Sequence, residues 1–231
     1  MHTLTLALFL IAVQRPEPPA QQPPVLVVNG SSEVLAQPDE AVVRLGIVKQ
    51  ANVAETAQQQ TNQVAQEILK AIGGVGVPSK DIQTSRLVLS PVYNGRDAER
   101  RIVSYNATNT VSVRVDNLSI VGNVIDAGLK AGANELEGVQ FHLKNELPSR
   151  EQALREAVQE ARGKAQAMAD ALRVNLAEVL EATEGGVTVS PRVQALQAVA
   201  GARPATPTPV SPGEIEIRAN VTLRYRITQK P

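Results

Sequence analysis

The sequence predicts an α+β fold in which a mainly antiparallel sheet carries about three helices on one face. Residues 215–227 alternate apolar and polar side chains without interruption, a pattern typical of an antiparallel strand with one dry and one wet face. Three segments of helical periodicity, 52–74, 117–132 and 149–172, alternate with strand-like segments. Because amphipathic helices and one-sided sheets bury their apolar faces against each other, we expect the helices to cover the sheet.

The segment 149–172 is the longest helical pattern in the chain. Ser149 is its predicted N-cap, and Gln152 completes a capping box. Small side chains recur at every fourth position and form one narrow ridge, at Ala153, Ala157, Ala161, Ala165 and Ala169. Such side chains allow a helix to lie close to the element that it covers. We therefore interpret the ridge as the packed face of a core helix, and not as a cofactor site.

Strand patterns occupy most of the remaining chain. Residues 25–36, with a bend at Asn29-Gly30, are predicted to form a hairpin with residues 41–50 across the turn Gln37-Pro38-Asp39. The other predicted strands are residues 81–93, 102–115, 135–143, 179–183 and 215–227. Asn52 is the predicted cap of the first helix.

Residues 25–229 are predicted to be a single domain. Residues 1–14 are a predicted signal peptide, because the ten apolar residues at 4–13 suit a signal sequence and are too few to cross a bilayer, which takes about 20. Residues 15–24 are a Pro/Gln-rich spacer. Residues 184–213, with five prolines, are predicted to be a long variable loop. Loops of this length are often functional, and we expect this one to contribute to contacts between subunits.

The composition excludes several classes of function. Lys plus Arg and Asp plus Glu number 23 each, which argues against a nucleic-acid partner and against electrostatic docking on a membrane. Aromatic residues make up 2% of the chain, so stacking platforms for bases are scarce. The absence of cysteine excludes disulfides, thiol catalysis and cysteine-ligated metals.

Few residues offer chemistry for catalysis or for a metal. His2 lies in the predicted signal peptide, and His142 alternates away from Phe141 and should face solvent. His142 therefore has no second histidine with which to build a metal site or a triad. Gly73-Gly74-x-Gly76 follows a helix and lacks the spacing of a dinucleotide fingerprint. We predict no catalytic, cofactor-binding or metal-ligating residues, and no cofactor.

Other polar residues are given structural interpretations. Asn109 shares the apolar face of its strand and is predicted to be a hydrogen-bonded core residue. Asp126 and Asp170 are isolated on helices. The arginines at 96, 100 and 101 are interleaved with acidic residues and are predicted to be a solvated hairpin tip.

Several segments together resemble the SIMPL-domain family, which includes bacterial periplasmic immunogenic proteins. The matching segments are Val27–Ile47, Asp81–Asn94, Ile102–Val115, Gly132–Phe141, Ala153–Leu172 and Pro212–Ile227. Their order and spacing are those of the family, and they span nearly all of the chain from Val25 onward. No catalytic residues are established for the family. Its shared residues Gly30, Pro38, Asp39, Tyr105 and Lys164 are interpreted here as bend, turn, core and helix surface.

The resemblance implies a periplasmic or otherwise extracytoplasmic protein, with outer-membrane association and a link to envelope or oxidative stress known among family members. Some members resemble ring- or channel-forming oligomers. Our first hypothesis is therefore a non-enzymatic homo-oligomer or interaction protein, and a peripheral association with membrane or envelope components is left open. The alternative hypothesis is a small-ligand-binding or enzymatic domain with an unrecognised pocket between sheet and helices.

Overall fold

A computed structural model describes residues 23–95, 101–192 and 207–230. In chain order the elements are β1 (Val25–Ala36), β2 (Glu40–Ala51), α1 (Ala54–Gly74), β3 (Ile82–Asn94), β4 (Arg101–Val115), α2 (Val121–Lys130), β5 (Glu135–His142), α3 (Leu147–Leu172), β6 (Val174–Pro191) and β7 (Ile215–Gln229). The α+β class is confirmed, with antiparallel sheets and three helices. The signal-peptide prediction and the arginines at 96 and 100 fall outside the described residues.

The strands form two sheets, where the sequence analysis expected one. A four-stranded sheet has the order β3-β4-β2-β5, and a three-stranded sheet has the order β1-β7-β6. The helices divide in the same way, because α1 and α2 contact strands of the first sheet while α3 contacts all three strands of the second. Each sheet is thus covered by its own helical layer.

The predicted hairpin between β1 and β2 is wrong. β2 pairs with β4 on one side and with β5 on the other, so it has no free edge for β1, which pairs with β7 instead. The turn residues at 37–39 carry the chain from one sheet to the other. A turn sequence between two strand patterns indicates only that the chain changes direction there. Which strands pair depends on which strand edges are not already paired.

The four-stranded half follows a β-α-β-β-α-β path from β2 to β5. Its core lies between the sheet and the two helices and includes Leu45, Ile47, Ile68, Val113 and Ile125. α1 buries Ala57, Thr61, Ala65, Ile68 and Ile72 at helical spacing. Asn52 does not cap this helix, because Val53 occupies the N-cap position.

The three-stranded half depends on the alanine ridge of α3. All five ridge alanines are fully buried, as predicted, and Ala153, Ala157, Ala161 and Ala165 pack in one core cluster with the sheet. Gly30 lies in the continuous strand β1 and does not form a bend. A Cβ atom at Gly30 would lie 2.8 Å from the Cβ of Ala161 and would collide with the carbonyl oxygen of Ala157. Gly30 is therefore needed for the close approach of helix and strand.

The start of α3 differs from the prediction. The helix begins at Leu147 with Glu146 as N-cap, and Asn145 Oδ1 accepts a hydrogen bond of 3.1 Å from the Leu147 N–H. Ser149 consequently lies inside the first turn and is not the cap. Pro148 is compatible with this earlier start, because the first turn of a helix does not need the N–H that proline lacks.

β6 is much longer than the predicted strand at 179–183. It runs to Pro191, so residues 184–191 of the predicted loop are strand. Gly185-Gly186, a pattern typical of a turn, instead accompanies a register irregularity between Glu184 and Val187, and Gly186 has a φ of 102°. An extra residue in a bulge is accommodated most easily by glycine. Residues 193–206 of the predicted loop lie outside the described residues.

Residues 207–213, which precede β7, pack against α2 of the four-stranded half. Thr208 donates its hydroxyl to Asp126 Oδ1 at 2.6 Å, and its N–H to Asp126 Oδ2 at 3.3 Å. Gly122 permits this contact, since a Cβ there would collide with the carbonyl oxygen of Thr208. Val210 packs against the core of the four-stranded half. Asp126, isolated in sequence, therefore anchors a segment that leads to the other sheet.

We expect Ala161→Leu to lower the free energy of unfolding by about 1–3 kcal/mol, because the larger side chain overpacks the contact with Gly30. Urea unfolding followed by circular dichroism measures this change. Ala167→Leu is the matched control on the exposed side of the same helix and should change stability by less than about 0.5 kcal/mol. Equal effects of the two substitutions would contradict the close packing.

Candidate interaction surface

The far half of the β3–β4 hairpin exposes an unusual amount of apolar surface. We call residues 86–94 of β3 and 101–106 of β4 the distal hairpin. Its exposed large apolar side chains are Leu87 (56% exposed), Val88 (36%), Leu89 (45%), Tyr93 (43%), Ile102 (48%) and Val103 (48%). Single exposed apolar residues are ordinary, but a contiguous group of them is a marker of an interaction site.

The exposed residues of β3 lie on both faces of the sheet. Leu87 pairs with Asn109 and Leu89 with Ala107, and both partners are buried, so the two leucines belong to the face that α1 covers. Val88, between them, points to the opposite face because side chains alternate along a strand. β3 is the outermost strand of its sheet, and α1 does not reach far enough to bury its leucines.

β1, an edge of the other sheet, is protected by α3. Glu160 accepts a hydrogen bond from the Ser31 N–H and pairs with Lys164 at 2.9 Å. Lys164 in turn donates to the carbonyl oxygen of Asn29 at 3.1 Å. The centre of this edge is therefore occupied by side chains, which prevents another strand from pairing there.

The Glu160 carboxyl has a lowered pKa. The main cause is the hydrogen bond from the Ser31 N–H, followed by the hydrogen bond with Lys164. Both interactions favour the charged form of the carboxyl. Lys164, interpreted from sequence as a helix-surface residue, also has a specific partner on β1.

The two remaining edges are less suited to pairing than β3. β5 has eight residues and a register irregularity opposite Arg44 and Leu45. β6 has three register irregularities along its length. Short strands and bulges are common means by which proteins protect sheet edges. Among the described strands, β3 combines an open edge with a regular apolar stretch.

A cleft of about 320 Å³ lies where β5 approaches the end of β6 and the first turn of α3. Its apolar lining includes Phe141, Val189 and Ile215, and its polar lining includes His142 and Glu146. Arg150 Nη2 approaches Glu146 Oε2 at 2.6 Å, so this carboxylate already has a charged partner. His142 is exposed, as predicted, and its side chain lies at the wall of this cleft.

The other polar residues of the sequence analysis are not brought together. Asn109 is buried, as predicted, but its Oδ1 has no hydrogen-bond partner among the described residues. Asp126 binds Thr208, whereas Asp170 accepts a hydrogen bond from Gln166 at the end of α3. In residues 23–95, 101–192 and 207–230, no group of three or more His, Asp or Glu side chains could hold a metal ion.

The α-helices within the same ranges are α1, α2 and α3. None of them combines the length and the apolar character that crossing a bilayer requires.

The sequence segments that resemble the SIMPL family lie in β1 to β5, in β7 and in α3. The sequence profile of a family described as SIMPL, protein of unknown function (DUF541), matches residues 26–225, which runs from the start of β1 into β7. The chain belongs to the SIMPL family. The description of the SIMPL family assigns no activity to its members.

Relatives of this SIMPL chain come from several bacteria. The 26 kDa periplasmic immunogenic protein of Brucella melitensis biotype 1 is 29% identical over 216 residues, which are 89% of this chain and 86% of the relative. An uncharacterized protein, YggE, of Escherichia coli K12 is 27% identical over 156 residues, 68% of this chain and 63% of the relative. YggE of Edwardsiella ictaluri is 27% identical over 169 residues, 73% and 70% of the two chains. None of these names describes an enzyme.

The role of β3 as an interaction surface is not predicted from the sequence. The run Leu87-Val88-Leu89 was a visible signal, because adjacent apolar residues in a strand must lie on opposite faces. Such a run is also typical of a fully buried strand. Only the strand order shows that β3 lies at an edge, where the same run is exposed.

We expect the stabilising contribution of Glu160 to depend on pH. Its pKa is lower in the folded chain, so the contribution is complete above the ordinary pKa of a glutamate, declines as the pH falls below that value, and is lost below the folded-state pKa. Glu160→Gln should therefore be less stable than the natural chain near pH 7, and the difference should disappear in acid.

Urea midpoints measured from pH 7 to pH 3 test this expectation. Glu151→Gln is the matched control, since Glu151 lies on the same helix and, among the described residues, forms an ion pair with Arg155 alone, at 3.5 Å. A stability difference for Glu160→Gln that persisted unchanged at pH 3 would contradict the role of its charge at the β1 edge.

Proposed function

We propose that this SIMPL chain is an exported, non-enzymatic protein that acts as a homo-oligomer or interaction protein, with the edge of β3 as its contact surface. The observation that carries the proposal is the exposure of apolar side chains on both faces of an edge strand whose stretch 86–90 is regular and not covered by the described residues. Such a strand offers backbone hydrogen-bonding groups and apolar side chains to a partner at the same time.

The energetics favour a covered β3. Fully burying a leucine side chain stabilises a structure by roughly 1.5–3 kcal/mol relative to leaving it in water, and Leu87 and Leu89 are each about half exposed. In a monomer about half of this contribution is lost. An association that covers both leucines would recover part of it in each copy.

Export is supported by two observations. The apolar run at residues 4–13 has the length of a signal sequence, and the Brucella relative is named a periplasmic protein. A link to envelope or oxidative stress and a peripheral association with the outer membrane are expectations from the family resemblance. The contribution of residues 184–213 to contacts between subunits also stays a prediction.

A non-enzymatic role is supported by the distribution of reactive groups. His142 is the sole histidine of the described ranges, and Glu146, a carboxylate that lines the same cleft, is paired with Arg150. An active site for nucleophilic catalysis needs a nucleophile hydrogen-bonded to a base, together with donors that stabilise an oxyanion. Ser190 also lines the cleft, but among the described residues no hydrogen bond joins its hydroxyl to His142, so a nucleophile is not paired with a base here.

We expect the double variant Leu87→Glu/Leu89→Glu to weaken self-association by more than about tenfold, because each copy loses two apolar contacts and gains two repelling charges. Sedimentation velocity across micromolar concentrations measures the change. The fold should persist, since both side chains are exposed in the monomer, and circular dichroism checks this.

Leu136→Glu is a matched control for this experiment. Leu136 is also a leucine on an edge strand, β5, and is 46% exposed, so general effects of a surface glutamate should be the same. If the natural chain sedimented as a monomer at high micromolar concentration, the oligomer proposal would be refuted. If Leu136→Glu dissociated the oligomer as well as the double variant does, β3 would lose its assignment as the contact surface.

The cleft favours a second candidate function, binding of a small amphiphilic molecule. Its mainly apolar lining with a few polar side chains is typical of ligand sites, which often lie between structural units. The cleft lies between the two sheets, and its lining residues come from both.

Binding of the fluorescent probe 8-anilinonaphthalene-1-sulfonate tests this second function. Ser190 lines the cleft and is exposed, so Ser190→Trp should obstruct the cleft without disturbing the core. We expect the substitution to weaken binding by about tenfold if the cleft is the site. Unchanged binding by Ser190→Trp, together with loss of binding in Leu87→Glu/Leu89→Glu, would assign the probe to β3 instead.

A further inference from the structure

The free backbone groups of β3 can be identified from the hydrogen bonds of its neighbours. Asn134 Oδ1 accepts from the Val48 N–H at 2.8 Å, and Asn134 Nδ2 donates to the Val48 carbonyl at 2.9 Å. Val48 thus directs its backbone groups to the β5 side of β2. Because these directions alternate along a strand, Ile47 directs its groups toward β4, where it faces Asn109.

The same alternation of backbone direction determines which residues of β4 form hydrogen bonds with β3. If Asn109 bonds β2, the even-numbered residues of β4 bond β3, and their partners are Arg86, Val88 and Ser90. Leu87 and Leu89 therefore direct their N–H and C=O groups outward, away from β4. Among the described residues no strand pairs with this edge, so each of the two leucines has a donor and an acceptor available there.

Pro91 supports this assignment independently. It has the same parity as the two leucines and so also faces outward. Proline has no N–H and is found in sheets at edge positions where no donor is required. Had the alternation been reversed, Pro91 would have left a gap in the hydrogen bonding to β4.

The regular part of this edge has two natural limits. On one side the register is irregular between Thr84 and Arg86, and on the other side Pro91 interrupts the row of donors. Between them lies the five-residue stretch 86–90, with the sequence Arg-Leu-Val-Leu-Ser. Val88 is its centre.

We propose that β3 strands of two copies of this chain pair antiparallel about a two-fold axis at Val88. This inference rests on the proposed self-association and specifies its partner and register. Leu87 lies opposite Leu89 of the second copy, Leu89 lies opposite Leu87, and the two Val88 residues face each other. Two four-stranded sheets then form one sheet of eight strands.

The proposed register is self-complementary. Both leucine pairs are positions with outward backbone groups, so each pair exchanges two N–H···O bonds. The four leucines share the α1 face and form an apolar cluster across the axis, while the valines meet on the other face. Arg86 lies opposite Ser90, so the arginines of the two copies do not face each other, which would be unfavourable.

Neighbouring registers fit less well. An axis at Leu87 would bring the irregular backbone at residues 84–86 into the pairing. An axis at Leu89 would place Pro91, without an N–H, opposite Leu87. A strand of a different kind is also disfavoured as partner, because in every copy β1 is blocked by α3 while β5 and β6 are interrupted by irregularities.

Cysteine cross-linking tests the axis directly, since the natural chain has no cysteine. Facing residues of a non-hydrogen-bonded pair have Cα atoms about 4.5 Å apart, which a disulfide can span. Val88→Cys should therefore form a covalent dimer on mild oxidation, seen on non-reducing gels. Val179→Cys is the matched control, an exposed valine on the edge strand β6, and should stay mostly monomeric on the gel.

The register has its own test. Leu87→Cys alone and Leu89→Cys alone should each cross-link weakly, because identical positions lie two residues out of register. An equimolar mixture of the two variants should cross-link efficiently, because Cα atoms of a hydrogen-bonded pair are about 5.5 Å apart. Efficient cross-linking of Leu87→Cys with itself would overturn the proposed axis.

Sedimentation of the reduced proteins distinguishes failure of the β3 pairing from failure of the proposed self-association. If the natural chain and reduced Val88→Cys both form oligomers but Val88→Cys does not cross-link, the β3 pairing is refuted and the proposed self-association remains. If the natural chain is a monomer throughout, the self-association and the pairing both fail. Circular dichroism of each variant confirms that the fold is intact before oxidation.

Discussion

The close approach of α3 to β1 is the contact on which the three-stranded half of the molecule depends. It requires glycine on the strand and alanine on the helix, because a Cβ at Gly30 would collide with α3. The short distance has a further consequence, since it brings Glu160 and Lys164 within reach of the Ser31 N–H and the Asn29 carbonyl. One packing contact therefore determines both the position of the helix and the protection of a sheet edge.

The two halves differ in how their edges are treated. Side chains from α3 occupy the β1 edge, and register irregularities interrupt β5 and β6. β3 has register irregularities at Thr84/Arg86 and Val92/Tyr93 and carries Pro91, but the stretch 86–90 between them is regular, apolar on both faces and not covered by the described residues. Unprotected edges are hazards for a soluble protein unless a partner covers them. The stretch 86–90 of β3 is therefore the surface at which we expect a partner to bind.

The contact of residues 207–213 with α2 depends on two hydrogen bonds and on the absence of a side chain at Gly122. Asp126 receives two hydrogen bonds from Thr208, and Gly122 leaves room for the backbone of that residue. Val210 then adds an apolar contact to the core of the four-stranded half. Because the next element is β7, the central strand of the other sheet, this segment ties the position of one sheet to the helices of the other.

Local patterns in the sequence were sufficient for the α+β class, the three helices, the buried alanine ridge and the family. Each of these depends on periodicity or on motif order within short stretches, which chain neighbours determine. The pairing of β1 with β7, the division into two sheets and the extension of β6 to Pro191 depend on contacts between residues far apart in sequence. Leu87-Val88-Leu89 shows the limit most clearly. The sequence determines that this run is apolar on both faces, but whether it is buried or open depends on the strand order, and only the tertiary structure places it at an edge.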